Sequence, residues 1–250
     1  MEPSKQHSIQ ESFTLSFFRQ SILRRNNDLF GSEFYAKAIK HHAHLNAYQP
    51  LRPTHPLALY REVLARIQLN ATPHSAATPT AFATTPNRKF VTMSHSSLLD
   101  NALIKEMTSL QVTLKGLGQQ LVPSIQEGSF RAINLKEKRT IISHIHLLKD
   151  NGVEIAFDGY DLSDDSAETL ISLDFFDYVK VDLTKSNFDI MVDKSQDFFN
   201  RSYDCLSSMI HNSKIKFIAD RVEHSALHTL ARSMPFDFFQ GRYYSPTEVT

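Results

Sequence analysis

Three apolar runs end in an aspartate: AFD at Asp158, VKVD at Asp182 and FIAD at Asp220. A fourth ends in Gln240, and Glu127 follows LVPSI after one residue. Lys180 stands two positions before Asp182, so both face the same way if the run is a strand. Carboxylates gathered in this way bind hard divalent cations such as Mg²⁺ or Mn²⁺ through oxygen. Two such ions can clamp the attacking water and the leaving oxygen of a hydrolysis. Without an ion, a lysine must offset the acids, because unpaired charges are costly to gather. A single acid after a strand is more often a helix cap or turn former. The set as a whole carries the signal.

The elements that must position these residues follow a regular rhythm. KFVTMS (89–94), QLVPSI (120–125), VEIAFD (153–158), DYVKVD (177–182), IKFIAD (215–220) and FDFFQG (236–241) read as strands. Their apolar runs are nearly continuous, as in strands covered on both faces. Helical patterns separate them, at 97–118, 135–152, and roughly 164–172, 188–212 and 223–232. Gly152 is a stop signal for the second of these. LNAYQPL and LALYREVL add two short strands on either side of a proline-containing turn. Eight strands alternating with helices predict an α/β fold, a TIM-like (β/α) barrel, with the acids over its C-terminal mouth. A doubly wound sheet is the alternative, but no Gly-rich phosphate loop supports it. Residues 8–45 are expected to be helical, from the spacing of Phe13, Phe17, Phe18 and Ile22. The domain expectation is a helical extension at 1–45 packed on a barrel at 46–250. The stretch 70–88, with Pro73, Pro79 and Pro86, reads as a loop.

Composition narrows the functional classes. The formal net charge is zero, which points away from a general nucleic-acid or anionic-membrane surface. No apolar run approaches the roughly 20 residues of a membrane span, and the N-terminus lacks a signal-peptide core. Cys205 is the only cysteine, so there is neither an intrachain disulfide nor a thiolate metal cage. The expected location is cytoplasmic. The histidines of HHAH (41–44) and SHIH (143–146) read as surface or half-buried groups; His144 and His146 point to different faces of a helix. No nucleophile elbow supports a serine triad.

Several motifs, in order and spacing, resemble the EAL family, the bacterial cyclic di-GMP phosphodiesterase domain. EVLAR (62–66) resembles the E-A-L-x-R signature, and VTMS (91–94) the V-N-L-S segment. LVPSIQE (121–127) resembles L-E-L-E-I-T-E, and VEIAFDGYD (153–161) the strand ending in D-D-F-G. YVKVD (178–182) resembles the K-I-D strand, IADRVEH (218–224) resembles A-E-G-V-E-T, and FFQGRYYSP (238–246) resembles Q-G-Y-x-F-S-x-P. The resemblance implies an EAL-type barrel over residues 46–247. It implies Glu62, Glu127 and Asp158 as metal ligands and Arg66 as a phosphate contact. Lys180, Asp220, Glu223 and Gln240 then match the catalytic positions.

The departures from the family pattern are specific. Thr92 replaces a ligand asparagine, Gly159 replaces the second aspartate, and Phe130 replaces an acid. YDLSDDSA (160–167) rewrites the loop that couples dimerisation to the metal site in the family. Glu62 to Thr92 is about half the family's separation, so one wall helix is expected to be missing, with the N-terminal helices covering the gap. These departures imply relic catalytic residues, no required cofactor, and room for at most one Mg²⁺ or Mn²⁺ ion. The reading placed first is a catalytically inactive regulator acting through a protein partner, such as a transcription factor. Behind it stand a cyclic di-GMP receptor without turnover and a weak metal-dependent phosphodiesterase.

Overall fold

The structure is a computed structural model, and it describes residues 13–40, 50–51, 56–71, 88–126, 133–162, 175–185 and 196–250. The strands are β1 (Phe13–Arg24), β2 (Leu29–Lys40), β3 (Pro50–Leu51), β4 (Arg88–Met93), β5 (Gln120–Gln126), β6 (Ala156–Tyr160), β7 (Tyr178–Asp182), β8 (Lys216–Asp220), β9 (Phe238–Gln240) and β10 (Glu248–Val249). The helices are α1 (Pro56–Ala71), α2 (Asn101–Gly116), α3 (Leu135–Asp150), α4 (Gln196–Asn212) and α5 (Ser225–Ser233), and a 3₁₀ turn spans His95–Leu99.

Eight strands close into a ring in the order β1-β9-β8-β7-β6-β5-β4-β2, and the β1–β2 pairing completes it. β2 and β4 to β9 run parallel to one another, while β1 runs against both of its neighbours. The two-residue strands β3 and β10 lie outside the ring, on β2 and β1. Eight is the strand number whose interior side chains can just fill a barrel. Here each of the eight contributes one residue to a closed internal cluster: Ile22, Phe30, Phe90, Val122, Ala156, Tyr178, Ile218 and Phe238. Phe30 stacks on Phe238 at 3.6 Å between centroids, and Tyr178 sits edge-on to Phe90 at 5.4 Å. A larger core fills the space between the barrel and its helices.

The strand count agrees with expectation, but two identities do not. Residues 13–40 are not helices. They form a long antiparallel hairpin that supplies two staves of the barrel, so the expected helical extension at 1–45 is corrected over the described part. The turn explains why. Asn27 takes a left-handed φ of 67°, the Asn26 side chain pairs with Asp28, and the Arg24 N–H donates to the Asp28 carbonyl at 2.8 Å. Asn and Asp suit such a turn, and the flanking Phe, Tyr and Ile suit strands. LALYREVL is not a strand but the first part of α1, which buries Leu59, Val63, Leu64 and Ile67 at helical spacing. The wall helix expected to be missing is therefore present, between β2 and β4. Of LNAYQPL, only Pro50 and Leu51 are described, as β3. The stretch 72–87 and the helix expected at 164–172 lie outside the described residues.

The six later strands fall where the apolar runs predict. Helix starts are fixed locally: Asp100 accepts from the Leu103 N–H, and Asn134 and Glu137 form a reciprocal capping box. Gly31 has a packing reason, since a Cβ there would lie 2.8 Å from the Arg88 carbonyl oxygen. Only glycine lets β2 and β4 approach so closely.

Candidate functional site

One step above the internal apolar cluster, towards the C-terminal ends of the parallel strands, the barrel turns polar. The strand partners place Thr92, Ser124, Asp158, Lys180, Asp220 and Gln240 two positions beyond the apolar residue of their strands. Gln20 stands two before Ile22, because β1 is reversed. Glu33 lies three after Phe30, because β2 slips by one residue opposite Ile22 and Leu23. All eight strands thus contribute to this second layer.

Its centre is the Lys180 ammonium, 1% exposed. It donates to Glu33 Oε1 at 2.7 Å and lies 3.5 Å from Asp158 Oδ1 and 3.7 Å from Asp220 Oδ2. The Thr92 hydroxyl also donates to Glu33 Oε1, at 2.5 Å, and the Gln240 amide donates to Glu33 Oε2 and to Gln20 Oε1. Both Glu33 oxygens are therefore engaged. Burial pushes Glu33 up, but the Lys180 charge and these hydrogen bonds outweigh it and hold the carboxyl below its usual range. Burial raises Asp158, with Lys180 only partly offsetting it, and raises Asp220 to about 7. Burial alone would depress Lys180, but Asp158, Asp220 and Glu33 reverse that and hold it protonated. The Ser124 hydroxyl and Gln240 Oε1 are buried with no hydrogen-bond partner among the described residues.

A cavity of about 740 Å³ opens above this layer. Glu33, Thr92, Asp158, Lys180 and Asp220 line its polar side. Phe18, Tyr35 and Tyr60 give it an aromatic side, with Leu59 and Val63 of α1. Phe18 and Tyr35 stack at 5.4 Å, and the Lys37 ammonium lies 5.1 Å from the Tyr35 ring. Cations also stand at the cavity wall: Lys37, Arg221 and Arg242. Arg221, at a left-handed φ of 57°, reaches buried Asp182 at 3.3 Å. Arg242 is paired with Glu223. Gly159, at φ 86°, sits in a bulge of β6, and its carbonyl accepts from the Lys185 ammonium at 2.6 Å. A Cβ at position 159 would lie 3.1 Å from that nitrogen.

Of the residues expected at the site, Asp158, Lys180, Asp220 and Gln240 meet in the polar layer, and Glu223 lines the cavity. Glu62 and Arg66 do not join them. Both are exposed on α1; Arg66 lies 4.0 Å over the Phe17 ring and donates to the Thr250 carbonyl at 2.9 Å. Glu127 and Phe130 lie outside the described residues, as do 163–167 of the rewritten loop and His41 to His44. His144 has a structural partner, the Leu98 carbonyl at 2.6 Å, and His146 packs on Phe175. The sequence reading missed Glu33, Gln20, Tyr35 and Lys37. The signal was there in EFYAK (33–37), which has the same acid-to-cation spacing as EVLAR, with lysine in place of arginine.

Among the described residues, no helix is long and apolar enough to cross a membrane. A family model described as "EAL domain" matches residues 81–247, more than half of the chain. The chain belongs to the EAL domain family. No curated protein gave a sequence match. Solved EAL structures share the fold. The Xanthomonas citri FimX EAL domain, in complex with c-diGMP, superposes with a TM-score of 0.68 at 14% identity, over 94% of this chain and 88% of that one. Bacillus subtilis YkuI, in complex with substrate c-di-GMP and calcium, gives 0.66 at 16% identity over 94% of this chain and 55% of YkuI. Vibrio cholerae LapD, an S helix-GGDEF-EAL chain bound to c-di-GMP, gives 0.62 at 17% over 92% and 52%. The matched EAL region begins after the hairpin, so Glu33 and Gln20 enter the site from outside it.

Proposed function

We propose that this EAL chain is a non-hydrolysing regulator whose cavity binds a cyclic dinucleotide of the c-di-GMP kind. The observation that carries the reading is the two-sided cavity: aromatic rings Phe18, Tyr35 and Tyr60 face a polar layer centred on Lys180, with Lys37, Arg221 and Arg242 at the wall. Its volume falls within the roughly 300–1,000 Å³ of ligand pockets. Flat bases suit the rings, and phosphodiester oxygens suit the cations. Solved EAL relatives bound to this nucleotide make it the first ligand to try.

Turnover is a different matter. A two-ion hydrolysis needs oxygen ligands with free lone pairs around both ions. Here Thr92 spends its hydroxyl proton on Glu33, both Glu33 oxygens are hydrogen-bonded, and position 159 has no side chain. This donor set does not fit a two-ion centre. Such a regulator signals through what it touches, so its output in the cytoplasm is a protein partner, of which a transcription factor is one kind.

Calorimetric titration with c-di-GMP, with product analysis of the same mixture, tests the reading. Binding with the nucleotide recovered intact supports it. Steady release of a linear dinucleotide in Mn²⁺ would make the chain a phosphodiesterase instead. Absence of binding would leave the protein-partner role without a nucleotide input.

A further inference from the structure

A second group of cations sits on the outer side of β2 and β4, turned away from the cavity. Phe90 and Thr92 point into the barrel, so Lys89 points outward. Lys89 is only 4% exposed. Among the described residues its ammonium makes no hydrogen bond or ion pair and lies 5.7 Å from the Phe34 ring. Its ladder partners are Leu121 of β5 and Ser32 of β2, and Ser32 is fully buried. The Ser32 hydroxyl accepts from Arg19 Nε at 3.1 Å. Arg19 has no carboxylate at ion-pair distance among the described residues either. α1 packs over β2 and β4 and buries Leu64, Ile67 and Ala71 there, none of them an acid. The adjoining stretches 41–49, 52–55 and 72–87 contain no Asp or Glu in their sequence. Two cations therefore flank one serine, and the anion that would offset them is missing. Burying cations without a partner is costly.

We propose that Lys89 is a modification site, whose amine takes up carbon dioxide to form a carbamate held by Arg19. The proposal is independent of the cavity and of any nucleotide.

Three properties of the place fit this chemistry. The first is access. A side chain this enclosed, beside an aromatic ring, admits a small apolar gas more readily than a bulky acyl donor. The second is the state of the amine. Burial, with the Arg19 charge added to it, pushes Lys89 down to about 8. About half of it is then free amine at pH 8, whereas an ordinary lysine is almost wholly protonated there. The third is the product. The amine lone pair attacks the carbon, an N–C bond forms, and one C–O π bond opens into a carboxylate. The displaced amine proton goes to water, and no oxidant or further reactant is consumed. An uncompensated pair of cations becomes an anion beside a guanidinium, whose planar fork suits a carboxylate. The new ion pair would tie β1, β2 and β4 together on the outer face. The inner faces of β2 and β4 carry Glu33 and Thr92.

The test equilibrates the intact wild-type chain with ¹³C-labelled carbon dioxide and bicarbonate near pH 8 and records its carbon NMR spectrum. A saturable carbamate resonance is expected in addition to that of the N-terminal amine. Lys89→Arg should remove it and leave the N-terminal signal unchanged. Arg19→Gln should weaken carbon dioxide uptake by roughly tenfold, through loss of one charge-assisted contact. At fixed carbon dioxide the resonance should vanish below about pH 6, where the amine is protonated. Treatment with a trialkyloxonium salt, which esterifies carbamates, should leave its label on the peptide that contains Lys89. A signal confined to the N-terminal amine, a label absent from Lys89, or full uptake by Arg19→Gln would overturn the proposal. If Lys89→Arg does not fold, the trapped label on the wild-type chain still decides.

Discussion

The apolar cluster and the polar layer above it occupy the same barrel, use one residue from each of the same eight strands, and are separated by two positions on seven strands and three on β2. They are held together by opposite rules. In the lower layer, Phe30, Phe90, Tyr178 and Phe238 pack ring on ring through weak, short-ranged contacts, and charge meets them only at the edge, where Arg24 and Arg88 lie over Phe30 and the Tyr178 hydroxyl donates to Glu154. In the upper layer one ammonium holds three carboxylates, and every group depends on the others for its ionisation state. Losing one member of the lower layer leaves a hole. Losing Lys180 leaves like charges in a dry place. The lower layer is what lets the upper one exist, because it seals the barrel from below and keeps water from entering at that end.

The sharpest way to break this comparison is Lys180→Met, which should cost about 3–5 kcal/mol, the usual penalty for stranding buried partners. The cost, read from urea unfolding, should shrink at pH 5 relative to pH 8, as the stranded acids take up protons. Phe90→Ala should also cost about 3–5 kcal/mol through the cavity it leaves. Its cost should be the same at both pH values, and a pH-dependent loss would show that the layers are not separate. The next effect is a titration in chelator-treated protein. Burial holds Asp220 at about 7, above its ordinary value near 3.8. A carboxyl with a raised folded pKa contributes its stability fully below the ordinary value and loses it as pH rises through about 7. Asp158, also raised, acts in the same direction, whereas depressed Glu33 acts only below its ordinary value near 4.5. Wild-type stability should therefore fall as pH rises from about 4 to about 7, and Asp220→Asn should flatten that fall. Ser124→Ala should do least, within about 1 kcal/mol and in the stabilising direction, since its buried hydroxyl has no partner among the described residues. A larger loss would mean that the hydroxyl is bonded to ordered water.

Six of the barrel strands were legible because they are covered on both faces and read as unbroken apolar runs ending in polar groups. The hairpin was not, and neither was its acid, for one shared geometric reason. A spacing of four keeps residues on one face of a helix, and it does so equally on a strand, where four is two full periods. Phe18 and Ile22, four apart, share one face of β1, a pattern that satisfies both readings. Glu62 and Arg66 meet the same acid-to-cation spacing on a helix that Glu33 and Lys37 meet on a strand. Spacing alone could not choose between them. The Asn26–Asn27–Asp28 turn was the signal that could, since two aromatic-rich runs joined by such a turn read as a hairpin. Gln20 was unreadable without the hairpin, because its role depends on β1 running backwards beside β9. Thr92 lines the cavity and Gly159 follows Asp158 in the bulge of β6. Their partners, Glu33 and Lys185, are distant in sequence and no local spacing points to them.

The reversed strand that closes the barrel also sets the order in which the protein can be made. Ile22 pairs with Gln240, near opposite ends of the chain, and Glu33 receives its hydrogen bond from the same glutamine. During synthesis the hairpin and the first wall helix leave the ribosome long before β9 exists. Until then Glu33 lacks Gln240, and the hairpin has one unpaired edge. Pairings this distant in sequence form slowly. The binding layer therefore matures in a single late event, ring closure, and a chain cut short before residue 238 has no partial site to offer.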